Sequence, residues 1–208
     1  MNTKDRILQT AYDLFLKNGY KNTTTRSIAE VANVNLGLIP YYFRTKENLC
    51  IEVYRIMMQR LLNKIDYNEI EFDNTIEQYY FSYLMLQYHI LSQESTKRYY
   101  FEFLEEASLL SNPSPNTEYY IFKIQQEFNL SVDPTILNLY FRMFIGGERA
   151  LMAKKRRGEL PVSYFTINAL LVRAILTQLG ISAQIIDQAI EHVNHKVMSL
   201  DHDWSLLS

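Results

Sequence analysis

The segment TTTRSIAEVANVNLGLIPYYFRTKENL, residues 23–49, decides how the N-terminal part of the chain folds. Ile28, Ala29 and Ala32 share one face of a predicted short helix, and the small alanines let a second helix cross it closely. Asn33 tolerates a left-handed backbone conformation, so the helix is predicted to end there in a tight turn.

A second short helix is predicted from about residue 35 to residue 43, after Val34 returns an apolar side chain to the core. Thr45 is predicted to cap a third helix, which runs from Lys46 to about Ile65. Two short helices joined by a tight turn form a helix-turn-helix, whose second helix fits the major groove of DNA.

A set of spaced residues extends this pattern over about the first fifty positions. The set comprises Gly19 and Tyr20, Thr23 to Thr25, Ile28 and Ala29, Ala32 to Val34, and Tyr42, Phe43, Lys46 and Leu49. It resembles the TetR family of transcriptional regulators. The resemblance implies phosphate contacts by Thr25, Arg26, Tyr42 and Lys46, and base contacts by Leu36, Gly37, Leu38 and Tyr41.

The residue chemistry supports the same division of roles. Thr24, Thr25 and Arg26 open a helix, where free N–H groups, a hydroxyl and a guanidinium suit a phosphate. The predicted base-reading face comprises Asn35, Leu36, Gly37, Leu38 and Tyr41. The alternative is a helix-turn-helix used only for contacts with proteins.

The predicted reading helix departs from the family pattern. Leu36 and Leu38 are apolar, so contacts with thymine methyl groups and DNA shape would carry more of the specificity, and we expect an A·T-rich operator. Pro40 stands where the family usually has tyrosine. A mid-helix proline can cost about 3 kcal/mol, but we expect less in a helix this short, because the lost donor lies in its second turn; Pro40 also removes one phosphate contact.

Composition and charge indicate an all-α protein with an electrostatically distinct N-terminus. Six Gly and five Pro among 208 residues favour long helices over a turn-rich β-fold. Residues 1–66 hold ten Lys or Arg against six Asp or Glu, whereas residues 67–208 hold eleven against seventeen. A basic N-terminal module suits a protein that presents one end to phosphate, although chance surface charge is the alternative.

We therefore predict a helix-turn-helix DNA-binding domain at residues 1–48, a helical ligand-binding and dimerisation domain at residues 49–200, and a flexible tail at residues 201–208. The first helix is predicted at Thr3 to Asn18. The later helices are predicted at Thr75 to Leu91, Ser95 to Leu110, Thr117 to Phe128, Pro134 to Arg157, Ser163 to Leu179, and from Ser182 to about Met198.

The lack of a recognisable targeting signal and the single cysteine predict one compartment. The N-terminus has no apolar signal core, and the most apolar long segment, residues 164–181, contains Arg173 and is not predicted to span a membrane. Cys50 cannot form an intramolecular disulfide and is predicted to be a buried thiol, with a redox sensor as the alternative. We expect a cytoplasmic protein.

Aromatic residues are concentrated after residue 66 and predict a cavity for an aromatic or amphipathic small molecule. The ordinary alternative is that they fill a core. The predicted pocket residues are Tyr79, Tyr83, Tyr88, Tyr99, Phe103, Tyr119, Tyr120 and Phe144.

A two-fold dimer is expected because one short reading helix makes too few contacts for specific binding. Two apolar stripes are predicted to form the dimer interface: Phe141, Ile145, Gly146, Gly147 and Ala150, and Ile167, Leu170, Leu171, Ala174 and Ile175. The alternative for the glycine pair is close packing within one subunit.

No catalytic constellation or cofactor motif stands out, and we expect neither an enzyme nor a cofactor. His192 and His195 are three residues apart, but the sequence shows no carboxylate or cysteine that completes a metal site with them. The sequence thus predicts a homodimeric repressor that a small molecule releases from a palindromic operator. The main alternative is a dimeric DNA-binding protein of the same fold whose body binds a protein partner.

Overall fold

The computed structural model describes residues 2–106 and 114–208, and over these residues it contains only helices and turns. The α-helices are α1 (Thr3–Asn18), α2 (Thr25–Val31), α3 (Leu38–Phe43), α4 (Lys46–Leu62), α5 (Thr75–Leu91), α6 (Glu94–Glu105), α7 (Pro115–Glu127), α8 (Pro134–Arg156), α9 (Tyr164–Gln178) and α10 (Ala183–Val197). Short 3-10 helices span Tyr67–Glu69 and Trp204–Leu207. The predicted all-α class is confirmed.

The chain divides into two compact units. The N-terminal unit comprises residues 1–63 and 90–110, and the C-terminal unit comprises residues 64–89 and 111–208. All of α4 lies in the N-terminal unit, and so does α6, which the sequence assigned to the regulatory body. The predicted boundary at residue 48 therefore differs from the division in the structure, because α4 and α6 complete the core of the first unit.

Local sequence explains the helices of the N-terminal unit. The side chains of Asn2, Thr24 and Thr45 cap α1, α2 and α4 by accepting hydrogen bonds from backbone N–H groups two residues inside each helix start. These caps satisfy donors that a helix start leaves free. Helix α4, which was predicted to continue to Ile65, ends at Leu62.

The core of the N-terminal unit is built around α6. Tyr99 stacks on Phe15 with ring centroids 5.8 Å apart, and Phe103 stacks on Tyr54 at 3.8 Å. The Tyr99 hydroxyl donates a hydrogen bond of 2.9 Å to the Cys50 carbonyl. Helix α6 ends at Glu105, and Glu106 is extended; the rest of the predicted helix, residues 107–110, lies outside the described residues.

Cys50 is fully buried, as predicted for a structural thiol. Burial raises the pKa of this thiol to about 12. The thiolate is the reactive form of cysteine, so the environment of Cys50 disfavours redox chemistry at neutral pH.

In the C-terminal unit, helix ends follow the proline and glycine positions. Asp133 caps α8, and Pro134 occupies its first turn, where a proline loses no intrahelical hydrogen bond. Gly158 follows α8 with φ of +72°, and Gly180 follows α9 with φ of +94°. These backbone conformations suit glycine and end both helices.

Residues 201–208 were predicted to form a flexible tail unless Trp204 docked it, and two buried apolar side chains do anchor the segment. Trp204 is buried, and its ring lies 5.2 Å from that of Tyr88 and 5.9 Å from that of Phe165, centroid to centroid. Leu207 is fully buried. Two large apolar side chains within four residues provide enough burial to hold the segment against its unit.

Within the described ranges, 2–106 and 114–208, no helix combines the length and the hydropathy needed to cross a membrane.

Candidate DNA-binding site

The start of α2 is held by a reciprocal pair of hydrogen bonds. The Ser27 N–H donates to the Thr24 hydroxyl over 3.0 Å, and the Thr24 N–H donates to the Ser27 hydroxyl over 3.1 Å. Thr24, predicted to contact phosphate through its hydroxyl, thus uses that oxygen to cap the helix. Thr25 is half-buried, and the exposed Arg26 pairs with Glu30 over 3.2 Å.

The turn after α2 has the geometry that the sequence predicted. Asn33 adopts φ of +51°, which confirms its left-handed conformation. The Val34 N–H donates to the Ala29 carbonyl over 3.0 Å, and the Asn33 N–H donates to the Glu30 carbonyl over 3.2 Å. This pair of bonds closes the end of the helix and turns the chain sharply into the next segment.

Helix α3 is shorter than predicted. It has six residues and begins at Leu38, so Asn35, Leu36 and Gly37 lie in the turn that leads into it. The Asn35 side chain accepts a hydrogen bond of 2.8 Å from the Gly37 N–H, and its backbone carbonyl accepts one of 3.0 Å from the Leu38 N–H. Asn35 therefore organises the turn as well as lying on the predicted base-reading face.

Pro40 costs less than the sequence suggested. It is the third residue of α3 and lies in the first turn, where backbone N–H groups have no intrahelical partner. The predicted loss of a hydrogen bond in the second turn is therefore wrong. The Pro40 carbonyl still accepts a bond of 2.9 Å from the Arg44 N–H, which ends the helix.

The predicted reading face is open to solvent. Tyr41 is 75% exposed and Leu36 is 47% exposed, and the polypeptide at Gly37 is also exposed. Tyr42 is 36% exposed and lies against Tyr41, with ring centroids 5.0 Å apart. Leu38 is only half-buried, whereas Ile39 and Phe43 point into the core and fix the orientation of the helix. Apolar side chains exposed at such a position are available to a partner surface.

Lys46, a predicted phosphate contact, is tied into the protein by Tyr20. Its Nζ donates to the Tyr20 carbonyl over 2.8 Å and lies 4.0 Å from the centre of the Tyr20 ring. Desolvation by burial lowers the pKa of Lys46. An ammonium held this way positions the start of α4 and offers less of its charge to an external phosphate than an exposed lysine would.

Two residues of α6, Arg98 and Glu102, hold the end of α1. The Tyr20 N–H donates to the Glu102 carboxylate over 2.5 Å, and Arg98 donates to the carbonyls of Leu16 and Lys17 over 2.6 and 2.8 Å. A guanidinium at the carbonyl end of a helix also compensates its dipole. No local signal predicts these bonds, because the partners are about eighty residues apart in the chain.

The comparison with known protein families decides the assignment of this site. Residues 7–53 match the family model described as bacterial regulatory proteins, tetR family. The matched range includes the capped start of α2, the turn at Asn33 and all of α3. This segment is a TetR-family DNA-binding domain.

Relatives with similar sequences are named as regulators of the same kind. Over 112 residues the chain is 33% identical to the HTH-type transcriptional regulator QacR of Staphylococcus aureus. This match covers 52% of the present chain and 60% of QacR. Over 58 residues it is 41% identical to the probable HTH-type transcriptional regulator YttP of Bacillus subtilis, a match that covers 26% of the present chain and 28% of YttP. The chain thus spans 60% or less of these relatives' own length.

Solved structures extend the likeness beyond the TetR-family domain. The crystal structure of RolR in complex with resorcinol matches with a TM-score of 0.58 at 19% identity, covering 90% of this chain and 92% of that one. RolR without ligand matches with a TM-score of 0.57 at 16% identity, covering 91% and 96%. At such low identity this likeness shows that the fold is shared.

The eight aromatic residues predicted to line one pocket do not all lie together. Tyr99 and Phe103 form part of the core of the N-terminal unit, Tyr88 packs against Trp204, and Tyr119 is largely exposed. The other four residues do come together. Ring centroids of Tyr79 lie 5.7 Å from Tyr120 and 6.3 Å from Tyr83, and Tyr83 lies 5.9 Å from Phe144.

Half of the predicted dimer residues are buried inside the subunit. The buried set comprises Phe141, Ile145, Ile167, Leu171 and Ile175, which belong to the packed faces of α8 and α9. A Cβ added at Gly147 would lie 3.4 Å from the Leu171 side chain, an ordinary van der Waals contact, so Gly147 faces α9 within the subunit. Gly146, Ala150, Leu170 and Ala174 are exposed and remain available to a partner subunit.

The expectation that no carboxylate accompanies the C-terminal histidines is wrong for His192. Asp73 and Glu77 lie beside its ring, and potential metal-ligating atoms of the three residues are all within 4.8 Å of one another. His195 lies on α10 three residues later and is exposed. The carboxylates are more than one hundred residues away in sequence, which is why spacing alone did not reveal them.

Proposed function

We propose that the protein is a homodimeric TetR-family repressor that binds a palindromic operator and is released by a small molecule. The observation that carries the DNA-binding part is the helix-turn-helix built by residues 25–43, with an exposed reading face next to the exposed Arg26. A helix start and a guanidinium contact phosphates, while the exposed turn and α3 contact base edges.

Thymine methyl groups fit the chemistry of this face. Leu36 and Tyr41 present apolar surface, and the Asn35 amide oxygen is already occupied by the Gly37 N–H. Few hydrogen bonds from this face to base edges are therefore expected. The expected target is an A·T-rich operator that the protein recognises partly through DNA shape.

The covalent connections between the units suggest how an effector would reach the DNA-binding domain. Only Ser92 and Gln93 separate α5, most of which lies in the C-terminal unit, from α6, which holds the end of α1 through Arg98 and Glu102. A displacement of α5 would thus be passed to α6 through a short connection. The effector must bind the non-DNA form more tightly, since only differential affinity shifts the population.

The cluster of Tyr79, Tyr83, Tyr120 and Phe144 is the proposed effector site. The Tyr79 hydroxyl is fully buried and makes no hydrogen bond of normal geometry with a described residue, although Thr117 lies near it. The buried Gln87 Nε2, two helical turns further along α5, also has no partner in the described part of the chain. Buried polar groups of this kind favour an aromatic ligand that carries hydroxyl groups.

This effector assignment has a direct test in the hydroxyl of Tyr79. RolR, which shares the fold, binds resorcinol. Simple phenols, resorcinol among them, are therefore the first compounds to titrate against the protein–operator complex. We expect one of them to release the operator, and we expect Tyr79→Phe to weaken that release about tenfold through loss of one buried hydrogen bond. If every ligand that binds the C-terminal unit leaves operator affinity unchanged, the release mechanism is refuted.

The DNA-binding role is tested by removing one exposed arginine. Arg26→Ala is expected to make the slope of log K against log salt shallower by about 0.9 for each phosphate that the protein no longer neutralises, hence by about 1.8 in a dimer. Binding of the purified protein to its own upstream DNA across a salt series measures this slope.

Arg55→Ala is the matched control for that measurement. Arg55 is also exposed, lies in the same unit and pairs with a carboxylate one turn away, Glu52, as Arg26 pairs with Glu30. It lies outside the helix-turn-helix, so its removal should leave the slope nearly unchanged. Equal slopes in the two variants would contradict the assignment of Arg26, and binding of the wild-type protein no tighter than to unrelated DNA would contradict the repressor itself.

A further inference from the structure

A carboxylate pair and an imidazole meet within the C-terminal unit. Asp73 precedes α5, Glu77 lies in its first turn, and His192 projects from α10. The His192 Nδ1 lies 2.8 Å from the Glu77 Oε1 and 3.5 Å from the Asp73 Oδ2. Two ligands on one zinc ion, each about 2.0–2.2 Å from the metal, are separated by comparable distances of about 3–3.5 Å.

Glu77 is a buried carboxylate, only 3% exposed, and its two oxygens have different surroundings. The Oε2 atom accepts a hydrogen bond of 3.1 Å from the Asp73 N–H and lies 3.9 Å from the Lys196 Nζ. The Oε1 atom faces the imidazole. Metal-ligating carboxylates are commonly held by such hydrogen bonds on the oxygen that does not bind the metal.

Lys196 is held by a hydrogen bond to the backbone, which keeps its charge on the Oε2 side of the carboxylate. Its Nζ donates to the Glu71 carbonyl. The cluster brings two carboxylates together with one ammonium, so its charges favour a divalent cation over an anion.

The cluster opens onto a cleft, so a bound ion would have room for further ligands. The cleft has a volume of about 550 Å³ and is lined by Ile70, Glu71, Asp73, His192, Lys196 and Ser199. Three protein ligands with the remaining coordination positions facing solvent are typical of open metal sites.

We infer that Asp73, Glu77 and His192 form a binding site for a divalent first-row transition metal, with Zn²⁺ as the favoured ion. One imidazole nitrogen with two carboxylate oxygens is a borderline ligand set that suits Zn²⁺ and excludes the soft cuprous ion, which prefers thiolates. The bound ion joins the segment before α5 to α10, two parts of the C-terminal unit that are distant in sequence. It therefore stabilises the C-terminal unit, which provides a second input to the regulator besides the aromatic cluster.

The test is a titration of the chelator-treated full-length protein with Zn²⁺, monitored by calorimetry and by thermal unfolding. We expect one ion per subunit with a Kd in the micromolar range or tighter. At a free metal concentration about 100 times the Kd, the Tm should rise by roughly 5–10 °C. Titration with Co²⁺ should add visible absorption bands that report nitrogen and oxygen ligands on the ion.

Three variants assign the ion to these residues. Asp73→Asn removes an exposed ligand at nearly constant shape and should weaken Zn²⁺ binding at least about tenfold while the protein still folds, and His192→Ala should abolish it. His195→Ala is the matched control, because it removes an exposed histidine from the same helix outside the cluster. Unchanged affinity in Asp73→Asn, or equal losses in the two histidine variants, would overturn the assignment.

Absence of stoichiometric binding up to about 1 mM Zn²⁺ would overturn the proposal and leave the cluster as an ion pair that joins α5 to α10. The titration uses protein alone, so its outcome is independent of whether the operator or the phenol experiments succeed.

Discussion

Replacing Leu170 with glutamate is expected to convert the protein to monomers and to lower operator affinity by roughly a thousandfold or more. Leu170 is 52% exposed on α9, and the neighbouring Ala174 is exposed as well. On α8, Met143 is 60% exposed, and Gly146 has nothing within 4 Å of the position a Cβ would occupy. These residues form the apolar surface that we propose pairs with its two-fold mate.

The physical reason for the large effect is desolvation of charge. In the subunit alone, a glutamate at position 170 is hydrated and leaves the fold intact. In the proposed dimer two such carboxylates would be buried near the symmetry axis without partners, at a cost of several kcal/mol for each charge. A monomer reads only one half-site, so specific affinity falls toward the non-specific level.

Phe122→Glu is the control for this prediction. Phe122 is 59% exposed, but it lies on α7, outside the proposed interface. Sedimentation equilibrium measures the oligomeric state of both variants, and an operator titration measures their affinity for DNA. A Leu170→Glu protein that remains dimeric would show that α9 does not form the interface.

Gly19→Ala is expected to destabilise the N-terminal unit by about 3 kcal/mol, because it combines backbone strain with the disruption of a hydrogen bond. Gly19 ends α1 with φ of +87° and ψ of +160°, a conformation open almost solely to glycine. An added Cβ would lie 2.7 Å from the Glu102 Oε1. Moving that carboxylate would leave the Tyr20 N–H, which donates to it over 2.5 Å, without its acceptor.

Gly180→Ala is the control, because it introduces a similar backbone strain in the C-terminal unit. Gly180 has φ of +94°, but a Cβ there would meet nothing within 4 Å, so only the backbone strain remains. Hydrogen-exchange mass spectrometry on peptides from α1 and α6 measures the opening free energy of the N-terminal unit directly. Gly19→Ala should lower protection in both helices, whereas Gly180→Ala should leave them unchanged. Equal protection in Gly19→Ala and the wild-type protein would show that Glu102 is not needed to hold α1.

These two predictions concern the two halves of regulation. The Leu170 variant tests how two DNA-binding domains are brought to one operator. The Gly19 variant tests how α6 is joined to the helix that supports the reading face. If the Gly19 variant keeps its dimer but binds the operator weakly and releases it without effector, the α1–α6 contact carries the coupling proposed above.

Much of the local structure was determined by the sequence itself, because short-range rules govern it. Thr24 and Thr45 cap their helices, Asn33 takes the left-handed turn, and Pro134 starts α8, as the residue types require. Within the first fifty residues, the spacing of such signals was specific enough to predict the helix-turn-helix and its family resemblance.

Only the tertiary structure decided which of two apolar faces of α8 is buried. Phe141 and Ile145 pack inside the subunit, whereas Met143 and Gly146 face outward, and helical periodicity describes both stripes equally well. The sequence also could not predict two long-range contacts. Glu102 contacts Tyr20 and Glu77 contacts His192, although these partners are 82 and 115 positions apart. Capping and turn formation depend on neighbours in sequence, whereas burial and ion pairing depend on which distant elements pack together.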